Sequence, residues 1–372
     1  MNSIAFRRHL HRHPELSFEE HQTAAFIGEQ LTEAGIAWRP IAQTGILATI
    51  RGRATKVDDR RAVVLRADID ALPIDEQTGL DYASERAGVM HACGHDMHAA
   101  MLYGTLCELA AEADFAGTVI GLFQPGEECN PGGASLVLKE NPFADYEVLA
   151  VLGQHVDWQL EVGQIGLREG AFMAASDELR FEVCGKGGHG AMRHLLHDPI
   201  GSAAQTVTKL LQLNEQYPES TLSVGHFVAT GATNVVPDTA RIEGTLRTFD
   251  EEERATLHRT IVAICAESDR RFSTTTHVDI NHGYPAVKNN PALCDLARQT
   301  AEAIGLASFN LERRMTAEDF GFYTLHYPSL FWRLGVGAAS GRSHTATYAP
   351  AEEAIERGIG LMKHLALQLL TK

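Results

Sequence analysis

Apolar residues along this chain fall into two textures, and the change between them marks its organisation. Residues 15–35 have helical periodicity and end at Gly35; strand-like runs follow, "GILATIRG" and "RAVVLRADIDAL". The second is almost continuously apolar and ends in acidic residues. That pattern fits a strand buried on both faces whose C-terminal end delivers side chains to a crevice. A helix over about 96–113, a third buried strand "GTVIGLFQPGEE", a helix "GGASLVLKEN" and a fourth strand "YEVLAVLGQHV" continue the alternation. Strands alternating with helices predict an α/β fold, an open and mostly parallel sheet with helices on both faces.

Near residue 174 the texture changes. "SDELRFEVCGK" alternates polar and apolar as a half-exposed strand does, and a long helix, "DPIGSAAQTVTKLLQLNEQY", follows it. Two strands, "TLSVGHFVAT" and "TARIEGTLRTF", the helix "DEEERATLHRTIVAICAESDRRF" and the strand "TTTHVDINHG" complete the order βαββαβ. That is the order of a ferredoxin-like α+β unit. From residue 286 the αβ pattern resumes with "NNPALCDLARQTAEAIG" and "SLFWRLGVG", then a terminal helix from about Ala351. The expected organisation is one domain, residues 1–173 and 286–372, interrupted by an inserted domain at 174–285.

Composition narrows the function. A chain of 372 residues exceeds what one core usually supports, in keeping with two domains. The net charge of -16 argues against a nucleic-acid partner, because only "RRHLHRH" is visibly basic. There is no apolar run of about 18 residues and no apolar stretch near the start, so a soluble, cytoplasmic protein with no membrane partner is expected. The six cysteines (93, 107, 129, 184, 265 and 294) form no CxxC pair, and most are expected to be free, buried and apolar.

Cys93 is set apart by its neighbours. "GVMHACGHDMHAA" (88–100) gathers His91, Cys93, His95, Asp96 and His98. It reads as a metal site, as a cysteine nucleophile with its base, or as a helix start whose Asp96 is favoured by the helix dipole. The other strand ends decide between them. Glu127 and Glu128 are adjacent at the end of one strand and so point to opposite sides, one able to bind a metal while the other faces substrate. His155 ends the next strand, and "GRSHTATY" adds His344. A nucleophile needs one base and one orienting group, and leaves these unexplained. A metal site uses thiolate, imidazole and carboxylate together, with a carboxylate left as general base.

"HRHPELSFEE", "LRADIDALPIDEQTGLDYAS", "GVMHACGHDMHAAMLYG", "QPGEE", "GKGGHGA" and "NVVPDTARIEGTLR" resemble, in order and over nearly the whole chain, the amidohydrolase branch of the M20 metallopeptidase family. That branch includes hippurate hydrolases, N-acyl-amino-acid deacylases and indole-acetyl-amino-acid hydrolases. The resemblance implies that Cys93, His95, Glu128, His155 and His344 bind one or two divalent ions, Mn or Zn first and Co or Ni next. It implies Glu127 as general base and Asp68 as an acid supporting the ligands. In the insert, which would act as a lid, it implies His189 as an oxyanion-stabilising catalytic group and Asn234 and Arg247 as substrate-binding residues.

The expected reaction is metal-dependent hydrolysis of the amide of an N-acyl amino acid or a related small amide. The alternatives are a dipeptidase or carboxypeptidase on the same scaffold, and a non-catalytic metal or ligand-binding protein, which would have no need of Glu127. Two departures from the family pattern bear on specificity: "MRH", with Arg193 beside His194, after "GHGA", and "SHTATY", with Thr347, near the C-terminus. The half-exposed strands of the insert leave an edge, which predicts a homodimer formed through that domain, with His189 acting across the interface.

Overall fold

The computed structural model describes residues 1–56 and 59–371. Its strands gather into one eight-stranded sheet, a four-stranded sheet and two short pairs. The large sheet runs in the order Ala37–Ile41, Gly45–Arg51, Thr118–Gln124, Arg61–Asp68, Glu147–Asp157, Ser329–Gly335, Gln164–Leu167, Ala307–Asn310. Thr118–Gln124, Arg61–Asp68, Glu147–Asp157 and Ser329–Gly335 are mutually parallel at its centre. Antiparallel pairs lie towards both edges. The continuous apolar runs are explained by burial: every residue of Thr118–Gln124 and Ser329–Gly335 is buried.

From Arg61–Asp68 the chain passes through the helix His95–Glu112 to the strand on one side, Thr118–Gln124, and then crosses to the other side, Glu147–Asp157. This reversal opens a crevice at the C-terminal ends of those strands, where open α/β sheets bind ligands. Asp68, Glu127, Glu128 and His155 all lie at or just past those ends.

The N-terminal helix differs from the expectation over 15–35. It starts at His21, where the Glu15 carboxylate accepts the amides of Gln22 and Thr23 at 2.8 and 2.9 Å and so caps it from the preceding loop. A separate helix, Ser3–Arg12, precedes it, capped by Asn2 and burying Phe6 and Leu10. The short strands Gln164–Leu167 and Ala307–Asn310 are also absent from the sequence reading.

The chain divides into two compact units: residues 1–172, 288–313 and 319–372 form one, and 173–287 with 314–318 form the other. Residues 314–318 return to the second unit through a bridge between Met173 and Arg314, a pairing their own sequence does not announce. Within the second unit the sheet order is Thr221–Val228, Thr239–Thr248, Ala175–Cys184, Thr275–His282, antiparallel throughout. Numbered along the chain this is 2-3-1-4, the ferredoxin-like arrangement. Ala175–Cys184 alternates buried and part-exposed as its sequence does. Leu179, Phe181, Val183 and Ile242 pack with Leu210 and Leu213 of the helix Pro199–Gln216 and with Leu257 and Ile261 of Glu251–Phe272.

All six cysteines are free thiols; Cys107 and Cys184 are only partly buried and Cys129 is exposed, so the expectation of burial holds for Cys93, Cys265 and Cys294. Among the described residues no helix is long and apolar enough to cross a membrane.

Candidate metal centre

Gly94 makes the turn that aims Cys93 and His95 at one point. Its φ of +96° is left-handed, and a Cβ there would lie 2.6 Å from Val156 Cγ2, so only glycine fits. Cys93 Sγ stands 3.3 Å from His155 Nε2 and 3.3 Å from His344 Nε2. Glu128 Oε1 lies 3.4 Å from His344 Nε2 and 3.9 Å from His95 Nε2. These spacings match donors about 2.0–2.3 Å from a shared tetrahedral ion, which stand roughly 3.5 Å apart. Glu127 lies beside them, with ligand atoms of His95, Glu127 and Glu128 all within 4.8 Å of one another. His344 closes the set from the C-terminal loop at φ +60°, its amide held by the Ala92 carbonyl at 2.8 Å. A left-handed non-glycine residue at a site is strain retained for position.

Hydrogen bonds on the far nitrogens set the tautomers. His155 Nδ1 donates to the Val156 carbonyl at 2.7 Å, and His95 Nδ1 faces Asp70 Oδ1 at 3.1 Å. Nε2 is therefore the nitrogen that each ring turns towards the cluster, the one a metal would take. His95 Nε2 and Glu128 Oε1 are buried without a hydrogen-bond partner. Buried polar atoms are seldom orphaned, and a cation is the partner this donor set fits.

Both nitrogens of His98 are taken by protein partners. Its Nδ1 meets Asp68 at 2.6 Å and its Nε2 accepts the Val156 amide at 3.0 Å. Neither nitrogen of the buried His91 has a hydrogen-bond partner, and burial pushes its pKa down to about 4, which keeps the ring neutral. Asp96 lies in the first turn of its helix, where it also binds Arg7 at 2.8 Å and His11 at 2.9 Å.

Charge separates the two chemical readings of Cys93. Burial, reinforced by the Glu128 carboxylate, pushes its thiol up to about 12. A nucleophilic cysteine needs the opposite shift. A thiol this reluctant to ionise becomes a thiolate when a divalent cation takes the proton's place. Burial opposes a charge on His95, but the Asp68 carboxylate and the hydrogen bond to Asp70 hold its pKa above the ordinary value in the metal-free site, so a metal must displace that proton.

The contact with a proposed ligand that was expected of Asp68 is made at His95 Nδ1 by Asp70. Asp68 binds Arg66 at 2.6 Å and His98, and lies 3.8 Å from His95 Nε2. Asp70 is the residue that meets His95 Nδ1; it also accepts the Glu128 amide at 2.9 Å and the Ser17 hydroxyl at 2.7 Å. The signal was present in "DID": residues two apart in extended chain share a face.

The second unit brings two of its three expected residues together. His189 pairs with Val235 in a two-residue ladder, and the Gly190 amide donates to the Asn234 carbonyl at 2.8 Å. His189 Nδ1 accepts the Ala191 amide at 3.2 Å, which places a proton on Nε2. Arg247 lies on the strand Thr239–Thr248 of the other sheet, partly buried, where burial lowers its pKa.

Residues 64–368 match the family described as Peptidase family M20/M25/M40. The chain is 39% identical over 349 residues to the N-acetyl-L-cysteine deacetylase of Bacillus subtilis, a match covering 92% of this chain and 82% of that one. It is 40% identical over 292 residues to the N-acyl-L-amino acid amidohydrolase of Geobacillus stearothermophilus, covering 77% of each. Among solved structures, a dinuclear metal-binding peptidase of the M20 family from Bacillus subtilis superposes with a TM-score of 0.87 at 33% identity, over 99% of this chain and 98% of that one.

Proposed function

Because the chain belongs to peptidase family M20/M25/M40, we propose that its crevice hydrolyses the amide bond of N-acyl amino acids with divalent metal held by Cys93, His95, Glu128, His155 and His344. The observation that carries this reading is the convergence of those five donors, two of them orphaned, with Glu127 beside them. The chain is a hydrolase of linear amides, and its relatives named for N-acetylcysteine and N-acyl amino acids support that substrate class.

When bound, divalent metal supplies a water of lowered pKa and polarises the scissile carbonyl. Glu127 takes a proton from the attacking water and returns it to the leaving amine. Asp70 orients His95 through Nδ1 and steadies the Glu128 backbone. The Nε2–H of His189 is a donor suited to the developing oxyanion, and Asn234 and Arg247 are the groups for the substrate carboxylate.

One or two ions fit the donor set; a thiolate with imidazoles suits Zn, and the carboxylate admits Mn, Co or Ni. A homodimer through the insert and a cytoplasmic location, where six unpaired thiols stay reduced, complete the proposal. The test is amino-acid release from a panel of N-acyl amino acids and dipeptides, before and after chelation. Release from N-acyl amino acids that chelation abolishes and Mn or Zn restores supports the reading; undiminished release by metal-free protein overturns it.

A further inference from the structure

His98 is buried one turn into the helix His95–Glu112 and has no lone pair to offer a metal. Its surroundings nonetheless lead step by step to a ligand. Arg66 is fixed by Gln124 at 3.0 Å and Asp319 at 2.7 Å, and donates to Asp68 Oδ2 at 2.6 Å. The other oxygen of Asp68 faces His98 Nδ1 at 2.6 Å. An amide N–H can only donate, so His98 Nε2, which meets the Val156 amide, is an acceptor, and the proton of His98 sits on Nδ1, facing Asp68.

That acceptor takes the Val156 amide at 3.0 Å, while the Val156 carbonyl takes His155 Nδ1–H at 2.7 Å. The ladder between Glu147–Asp157 and Arg61–Asp68 ends at Gly153, which is why the Val156 peptide groups turn to side chains. His155 Nε2 then points at Cys93 Sγ, 3.3 Å away.

We propose that His98 is a positioning residue: through the backbone of Val156 it holds His155 in the tautomer and orientation that present Nε2 to metal beside Cys93. Asp68, locked by Arg66, anchors the Nδ1 end of the relay. The inference rests on the reading of His155 as a ligand.

Two substitutions separate the two hydrogen bonds of His98. His98→Asn keeps a donor near the Nδ1 position and removes the acceptor for Val156. His98→Gln keeps an oxygen near the Nε2 position and removes the donor to Asp68. Metal-free proteins are titrated with Co(II) against a chelating dye, following the charge-transfer absorption of the cobalt–Cys93 thiolate, and thermal unfolding of each metal-free protein is recorded alongside. His98→Asn is expected to lose roughly ten- to a hundred-fold in affinity, as outer partners of metal ligands do, while His98→Gln stays within about threefold of the parent. Parent-like affinity in His98→Asn overturns the proposal, and so does an equal loss in both variants. His155→Ala is the control. If it binds Co(II) as tightly as the parent, the ligand reading itself falls; if it weakens binding and His98→Asn does not, only the relay falls.

Discussion

Asp70 meets His95 through one carboxylate oxygen, at 3.1 Å from Nδ1, and holds the Glu128 amide at 2.9 Å with the other. One buried carboxylate thus orients two proposed ligands from different elements. Asp70→Asn keeps the volume and removes the charge that fixes the Nδ1–H tautomer. Metal affinity is expected to fall about ten- to a hundred-fold, measured by chelator competition; unchanged affinity would show that Asp70 supports the fold alone.

Metal uptake should release a proton. The Cys93 thiol, pushed up to about 12, is protonated at neutral pH, and a bound ion requires the thiolate. Calorimetry in buffers of different ionisation enthalpy should show this release, and affinity should rise by up to about tenfold per pH unit between pH 6 and 8 for each proton released. Cys93→Ser should lower the affinity and shrink the thiolate-linked release.

His11 makes stability depend on pH in a known direction. Burial opposes its charge, but Asp96 and Glu76 outweigh it and raise its pKa from about 6.5 to about 9. A raised folded value means the contribution is fully present below about pH 6.5 and is lost as pH rises to about 9. It amounts to about 3 kcal/mol at most. Urea unfolding of the metal-free protein should show this decline, and His11→Gln should flatten it.

How much of this was legible in the sequence follows from the length over which each signal repeats. Thr118–Gln124 and Ala175–Cys184 announce themselves because burial on two faces or on one leaves a continuous or an alternating pattern over seven to ten residues. Gln164–Leu167 and Ala307–Asn310 have four residues each, too few to establish a period. The proposed ligands were legible because cysteine, histidine and paired glutamates at strand ends are chemically distinctive. The positions proposed for Asp70 and His98 were not, because they depend on which oxygen or nitrogen faces which partner. Residue type does not encode that.

The outer strand Thr221–Val228 of the insert exposes Phe227 and Val228 at 43% and 42%. An edge of this kind is usually covered, and a second copy is the proposed cover. Size-exclusion chromatography with light scattering at micromolar concentration should give a dimer, and Phe227→Lys should weaken it. A monomer with full activity would remove both the dimer and any action of His189 across an interface, while leaving the ligand set untouched.

The proposed mechanism depends on a division of labour between adjacent glutamates, and Glu127→Gln is its sharpest test. Metal content and turnover of an N-acyl amino acid are measured on the same preparation. The expected result is parental metal content with kcat reduced about 10²- to 10⁴-fold, the range for loss of a general base. Near-parental turnover with the metal in place would contradict the mechanism.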